Sequence, residues 1–278
     1  MRVLNFNLHL DLMKNYIAIA ALLAAGSAFA NAESVGYNSM DDAQKAGVIL
    51  AWDFSAENAT GAPVVGSVNN SFTVEDSVAK ITGSGNPWTD SLTNSFSSGD
   101  FTFSLDVNSF EANNWQALVS FYSVGGHGDN KSLQLGVDTN GELFLFNEVG
   151  GATGYASIDT DGGLSTGLSS AYSGSATVTI VSDMTTTKTL YLYVDGEVVG
   201  THSNWTATTE QALMGLQIGA AFGGGRGFPN AEISNITLWN KALSATEVKA
   251  LIIPEPSTFG LLAGLGALAL VGTRRRRK

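Results

Sequence analysis

The 278-residue chain has no cysteine, which excludes a disulfide-stapled fold and Cys-ligated zinc or iron–sulfur sites. Proline is scarce too, five residues against 32 glycines. Without a triplet period that balance points to many turns, and neither to collagen nor to a helical bundle. Cations are few and badly spread: Arg274 to Lys278 take five of the 14, and Arg2 and Lys14 two more. Between Glu33 and Ile253 only seven remain (Lys45, Lys80, Lys131, Lys188, Arg226, Lys241 and Lys249) against 23 acids, a net charge of −16. Such a surface repels phosphate backbones, so nucleic acid is excluded as a partner. At about 150 residues per domain, the length suits one large β domain.

Nucleophilic and metal signatures are also missing. There is no Gly-x-Ser-x-Gly, and past residue 32 the only histidines are His127 and His202, without zinc-motif spacing. Gly223-Gly224-Gly225-Arg226-Gly227 lacks the Lys-Ser that a phosphate loop requires. Sequons such as those at Asn58, Asn69, Asn204 and Asn235 are what chance gives in an Asn- and Thr-rich chain.

What the chain does have begins at its ends. Residues 1–32 read as a signal-peptide region whose expected true start is Met13: Lys14 is followed by the apolar Ile17 to Ala25, with Ala28, Ala30 and Ala32 offering small residues for cleavage. At the other end, residues 252–278 hold Pro254-Glu255-Pro256, a charge-free run from Ser257 to Gly272, and Arg274, Arg275, Arg276, Arg277 and Lys278. A run of about 16 to 18 residues is at the lower limit for a helix crossing a bilayer core of about 30 Å. The cations after it would stay cytoplasmic, leaving the preceding domain outside. This order of three features resembles the PEP-CTERM sorting signal of Gram-negative bacteria. The resemblance implies an exosortase-like partner that processes the chain near Pro254, and an exported protein, membrane-anchored at least transiently and then in the cell envelope or outside it.

Between the ends, apolar residues alternate with period two in short runs, such as Phe101 to Val107, Ala117 to Tyr122, Leu133 to Val137, Leu143 to Phe146, Ala176 to Val181 and Leu190 to Val194. Such runs predict an all-β, two-sheet antiparallel sandwich. Asn140-Gly141 and Asp195-Gly196 mark hairpins, because both accept the positive φ of tight turns. One helix is expected before the tail, Ser244 to Leu251, with Ser244 and Glu247 as a capping box. Trp52 and Trp239 lie in strand patterns and are expected in the core.

Residues 33–251, with Gly47 to Phe54, Thr177 to Gly200 containing Leu190-Tyr191-Leu192-Tyr193-Val194-Asp195-Gly196-Glu197, and Ala231 to Leu251, resemble the LamG-like domains of the concanavalin A-like lectin/glucanase superfamily. The resemblance implies a jelly roll of about a dozen strands. Glucanases of this group carry Glu-x-Asp-x-Glu on one strand, and no such run occurs here. The nearest pair, Asp195 and Glu197, is split by Gly196 and reads as a turn; Glu75-Asp76 reads as a solvated turn. No catalytic residue is therefore assigned. LamG relatives often hold calcium near the opening strand, which makes Asp53 with Asn230 and Glu232 the candidate ligands. Ala231 and Ser234 stand where the relatives carry Gly and Asp, so one carboxylate is missing from that motif.

Sugar sites combine aromatic platforms with polar groups that bind hydroxyls. The loop candidates are Trp88, Trp115, Trp205, His127, Asp129 and Arg226. The expected function is binding of a carbohydrate or another surface polymer, with a polysaccharide or glycoprotein as the ligand, the alternatives being a polysaccharide hydrolase of the same fold or a non-binding structural matrix protein.

Overall fold

The computed structural model describes residues 33–52, 72–76, 78–83, 88–89, 99–111, 116–122, 131–137, 140–149, 163–169, 174–205, 215–219 and 228–253. Residues 32–253 form one compact unit. Its strands are β1 (Glu33–Ser34), β2 (Val48–Trp52), β3 (Phe72–Glu75), β4 (Val78–Gly83), β5 (Trp88–Thr89), β6 (Phe101–Phe110), β7 (Ala117–Tyr122) and β8 (Lys131–Val137). They continue as β9 (Glu142–Val149), β10 (Leu164–Ser169), β11 (Ala176–Asp183), β12 (Thr189–Val194), β13 (Glu197–Ser203), β14 (Gly215–Ile218), β15 (Phe228–Trp239) and β16 (Ile252–Ile253). Two short helices, α1 (Asp42–Lys45) and α2 (Ala245–Ala250), flank β2 and β16.

Six strands pair in the order β10-β9-β8-β7-β14-β5, and eight form the other large sheet, β13-β12-β11-β6-β15-β4-β3 with β2 also on β15. The pairing is antiparallel throughout these sheets. Alternation explains the sandwich: Phe101, Phe103, Leu105 and Val107 of β6 face Phe121, Leu133, Leu135 and Leu145 from the other sheet in one buried cluster. The Phe103 and Phe121 rings meet edge to face at 4.8 Å. The predicted strands form, Asp195-Gly196 makes a hairpin turn with Asp195 at φ 51°, and Ser244 and Glu247 close the expected capping box on α2. Trp239 is buried and Trp52 packs against the core.

Two features depart from expectation. Among the described residues sixteen strands stand against an expected dozen or so, and α1 is a helix the apolar pattern does not announce. It is only four residues long, too short for periodicity, and is held by a capping box between Asp41 and Gln44.

A second apolar cluster covers the outer face of the eight-stranded sheet. Val181, Tyr193 and Trp239 of the sheet are capped by Met40, Leu243, Val248 and Leu251. The Trp239 indole N–H donates to the Gln44 carbonyl at 2.7 Å, and the Gln44 amide donates to the Ala250 carbonyl at 3.0 Å. The segments before β2 and after β15 therefore cover this face together. They end in a two-stranded sheet, Glu33 opposite Ile253 and Ser34 opposite Ile252.

Candidate binding face and a buried carboxylate

On the six-stranded sheet, Leu216, Ile218, Val119, Phe121, Leu133 and Leu135 point into the core, so the residues between them occupy the outer face. Pairing brings those residues into one row across four strands: Gln217 opposite Ser120, Ser120 opposite Gln134, and Gln134 opposite Phe146. Trp88 takes the next register position beside Gln217. Phe144, two residues before Phe146, stacks on it with ring centroids 4.6 Å apart and planes 14° from parallel.

This arrangement needs a glycine. At Gly136 a β-carbon would come within 2.6 Å of the Gln116 carbonyl and 3.0 Å of the Phe146 ring. The row is nearly wholly buried, with Ser120 at 1%, Gln134 at 0% and Gln217 at 4% exposure. Even so, the side-chain carbonyl oxygen of Gln217 has no hydrogen-bond donor among the described residues. A buried amide acceptor without a donor costs about 1–3 kcal/mol.

The sequence-predicted candidates fare differently. Trp205 is corrected: it is 0% exposed, part of the main core, and its indole N–H donates to Ser182 Oγ at 2.9 Å. Asn204-Trp205 reads as a loop in sequence; Asn204 takes a positive φ of 60°, and the Trp205 ring after it is buried. Trp88 lies in β5 at the row's edge. Trp115, His127, Asp129 and Arg226 fall outside the described residues, as do Asp53, the signal-peptide region and Pro254 to Lys278. Among the described residues no helix is long and apolar enough to cross a membrane.

Asn230 and Glu232 line a cleft of about 450 Å³ with Lys80, Ser109 and Glu111. The Asn230 amide donates to Glu111 at 2.7 Å, and Lys80 pairs with Glu75 at 2.6 Å. Among the described residues no three acidic or histidine side chains gather as a metal shell. A calcium ion there would need Asp53 in addition.

Asp106 is the polar residue that sequence reading missed. In Phe-Thr-Phe-Ser-Leu-Asp-Val it alternates like a solvent-facing acid, yet it is 0% exposed beneath β1. Its carboxylate accepts bonds from the Ser34 backbone N–H at 3.0 and 3.1 Å, Ser34 Oγ at 3.1 Å, Thr177 Oγ1 at 2.6 Å and the Asn235 amide at 2.7 Å. Asn235 reaches it from a positive φ of 49° within β15. Burial pushes the Asp106 carboxyl up to about 6, and these donors offset only part of that cost. Asp195, which exchanges two 2.8 Å bonds with the Thr177 backbone, is likewise raised to about 6 by burial. Neither acid lies on the six-stranded sheet.

A family model for the concanavalin A-like lectin/glucanases superfamily matches residues 82–249, more than half of the chain, and a PEP-CTERM protein-sorting motif matches residues 253–277. Among solved structures, Trypanosoma rangeli sialidase in complex with 2-keto-3-deoxy-D-glycero-D-galacto-2,3-difluoro-nononic acid aligns at 16% identity over 86% of this chain and 38% of its own, with a TM-score of 0.52. The binding domain of Paraclostridial Mosquitocidal Protein 1 aligns at 12% identity over 75% of this chain and 52% of its own, with a TM-score of 0.51. This chain thus spans well under two thirds of either neighbour, and at these identities the likeness is one of fold. No curated protein sequence matches it. A two-sheet antiparallel sandwich with more than half of its length matched, the chain belongs to the concanavalin A-like lectin/glucanases superfamily and carries a PEP-CTERM sorting signal.

Proposed function

We propose that this is an exported cell-envelope protein whose domain binds a polysaccharide over the outer face of the six-stranded sheet. The observation that carries the reading is the row Gln217, Ser120 and Gln134 beside the stacked Phe144 and Phe146, with a Gln217 acceptor awaiting a donor. Sugar rings present alternating hydroxyl donors and apolar C–H faces, which such a row matches. A binding role is favoured over hydrolysis because the row holds amides and a hydroxyl, where a retaining or inverting glycosidase needs two carboxylates.

The sorting motif implies export and delivery to the envelope. In this reading residues 13–32 direct export, residues 257–272 span the membrane, and an exosortase-type enzyme processes the chain near Pro254-Glu255-Pro256. Calcium binding at Asp53, Asn230 and Glu232 is an accessory part of the proposal; calorimetric titration of the full chain should show heat that Asp53→Ala abolishes, and no heat would remove the ion.

The main test is binding to immobilised polysaccharides by the full chain, its Gln217→Leu variant and its Gln134→Leu variant. At least about a tenfold weakening is expected for each, equal to one lost hydrogen bond or more. Unchanged affinity in both, with native near-ultraviolet dichroism, would overturn the placement. Reducing-sugar release abolished by a single Asp or Glu substitution would favour the hydrolase reading. Deleting Pro254 to Lys278 should release the protein from the envelope, and unchanged fractionation would sink the sorting route.

A further inference from the structure

The binding row contains no charged group, and the placement of the described cations, which do not include Arg226, extends that neutrality. Lys80, Lys241 and Lys249 pair with Glu75, Glu247 and Glu197. Lys45 lies 5.3 Å above the Tyr37 ring. Lys188 sits in the turn between β11 and β12, so these five all belong to the eight-stranded sheet or the segments that cover it. On the six-stranded sheet the described cation is Lys131, at the start of β8, three residues or about 10 Å along the strand from Gln134. Glu142, at the other end of its hairpin, is bonded to Ser165 and the Gly167 amide.

We infer that the ligand is a neutral polysaccharide, built of hydroxyl-bearing sugars without carboxylate or sulfate groups. The inference rests on the carbohydrate reading above and adds the substrate class. A carboxylate laid on the row would be desolvated against amide and phenyl groups with no cation within the row to pair it, a cost of several kcal/mol. It would also approach a domain of net charge −16, whose field slows the encounter with any polyanion. Amides and hydroxyls, by contrast, serve both as donors and as acceptors to neutral hydroxyls.

The test is affinity electrophoresis of the detergent-solubilised full chain in native gels cast with neutral polymers (a glucan, a galactan, an arabinan) or acidic ones (polygalacturonate, alginate). Retardation is expected with at least one neutral polymer and at least about tenfold less with the acidic ones. It should not change between about 0.01 and 1 M salt, across which the screening length falls from about 30 to about 3 Å. Salt-sensitive retardation by an acidic polymer, with none by the neutral set, would overturn the class while leaving polysaccharide binding intact. Retardation by no polymer would overturn both.

Discussion

Replacing Asp106 by asparagine tests the electrostatics of the buried clamp most directly. The Asp106 carboxyl titrates at about 6 in the fold, against 3.8 for an ordinary aspartate, because burial disfavours its charge. A folded value above the unfolded one means the contribution is fully present below about 3.8 and is lost as the pH rises through about 6. At about 1.4 kcal/mol per pH unit, the gap corresponds to about 3 kcal/mol lost by neutral pH, of which about 2 kcal/mol is regained at pH 4.5. Asparagine cannot ionise, so it carries none of this pH dependence. Its amide does meet donors from Ser34, Thr177 and Asn235, with a pH-independent cost of about 1–3 kcal/mol. Urea unfolding followed by tryptophan fluorescence at pH 4.5, 6 and 7.5 separates the two effects. The stability difference between native chain and variant should change by about 2 kcal/mol across that range. Asp195 is raised in the same direction and Glu247 lowered, but both are present in either chain and cancel in the difference. Parallel pH profiles for the two proteins would refute the assignment of the raised group to Asp106.

Three further outcomes follow from packing. Trp205→Phe should cost about 2–3 kcal/mol in urea unfolding, through the lost bond to Ser182 and the smaller ring, while leaving polysaccharide affinity unchanged. Gly136→Ala should destabilise by about 1–3 kcal/mol and weaken binding, since its methyl group drives Gln116 and Phe146 apart. Ser244→Ala removes the N-cap of α2 and should cost about 1 kcal/mol by thermal unfolding.

How much of this was legible in the sequence depended on the distance over which the signal acts. Period-two runs, Asp195-Gly196 and the Ser244 to Glu247 box are local devices, and each forms as read. The row Gln217, Ser120 and Gln134 was not legible, because each glutamine looks like an ordinary outward residue until strand pairing aligns three segments distant in sequence. Asp106 was missed for a related reason. Alternation assigns it to the outer face, correctly, but does not say that residues 34–46 and α2 will cover that face. Trp205 shows the converse, an aromatic after a turn residue that packs into the core.

The pairing of Glu33–Ser34 with Ile252–Ile253 bears on the order in which the domain can be completed during synthesis and export. The first described strand must wait for the last one described, since its partner lies at the far end of the folded unit. Until then Asp106 lacks the Ser34 donors, and the apolar cluster around Trp239 lacks its lid. Hairpins such as β8–β9 and β12–β13 close small loops and can form early, whereas this last contact closes the largest loop among the described strand pairs. Folding of the exported chain should therefore finish with a slow docking of both ends. Hydrogen exchange during refolding would see this as late protection of the Ser34 and Val35 amides.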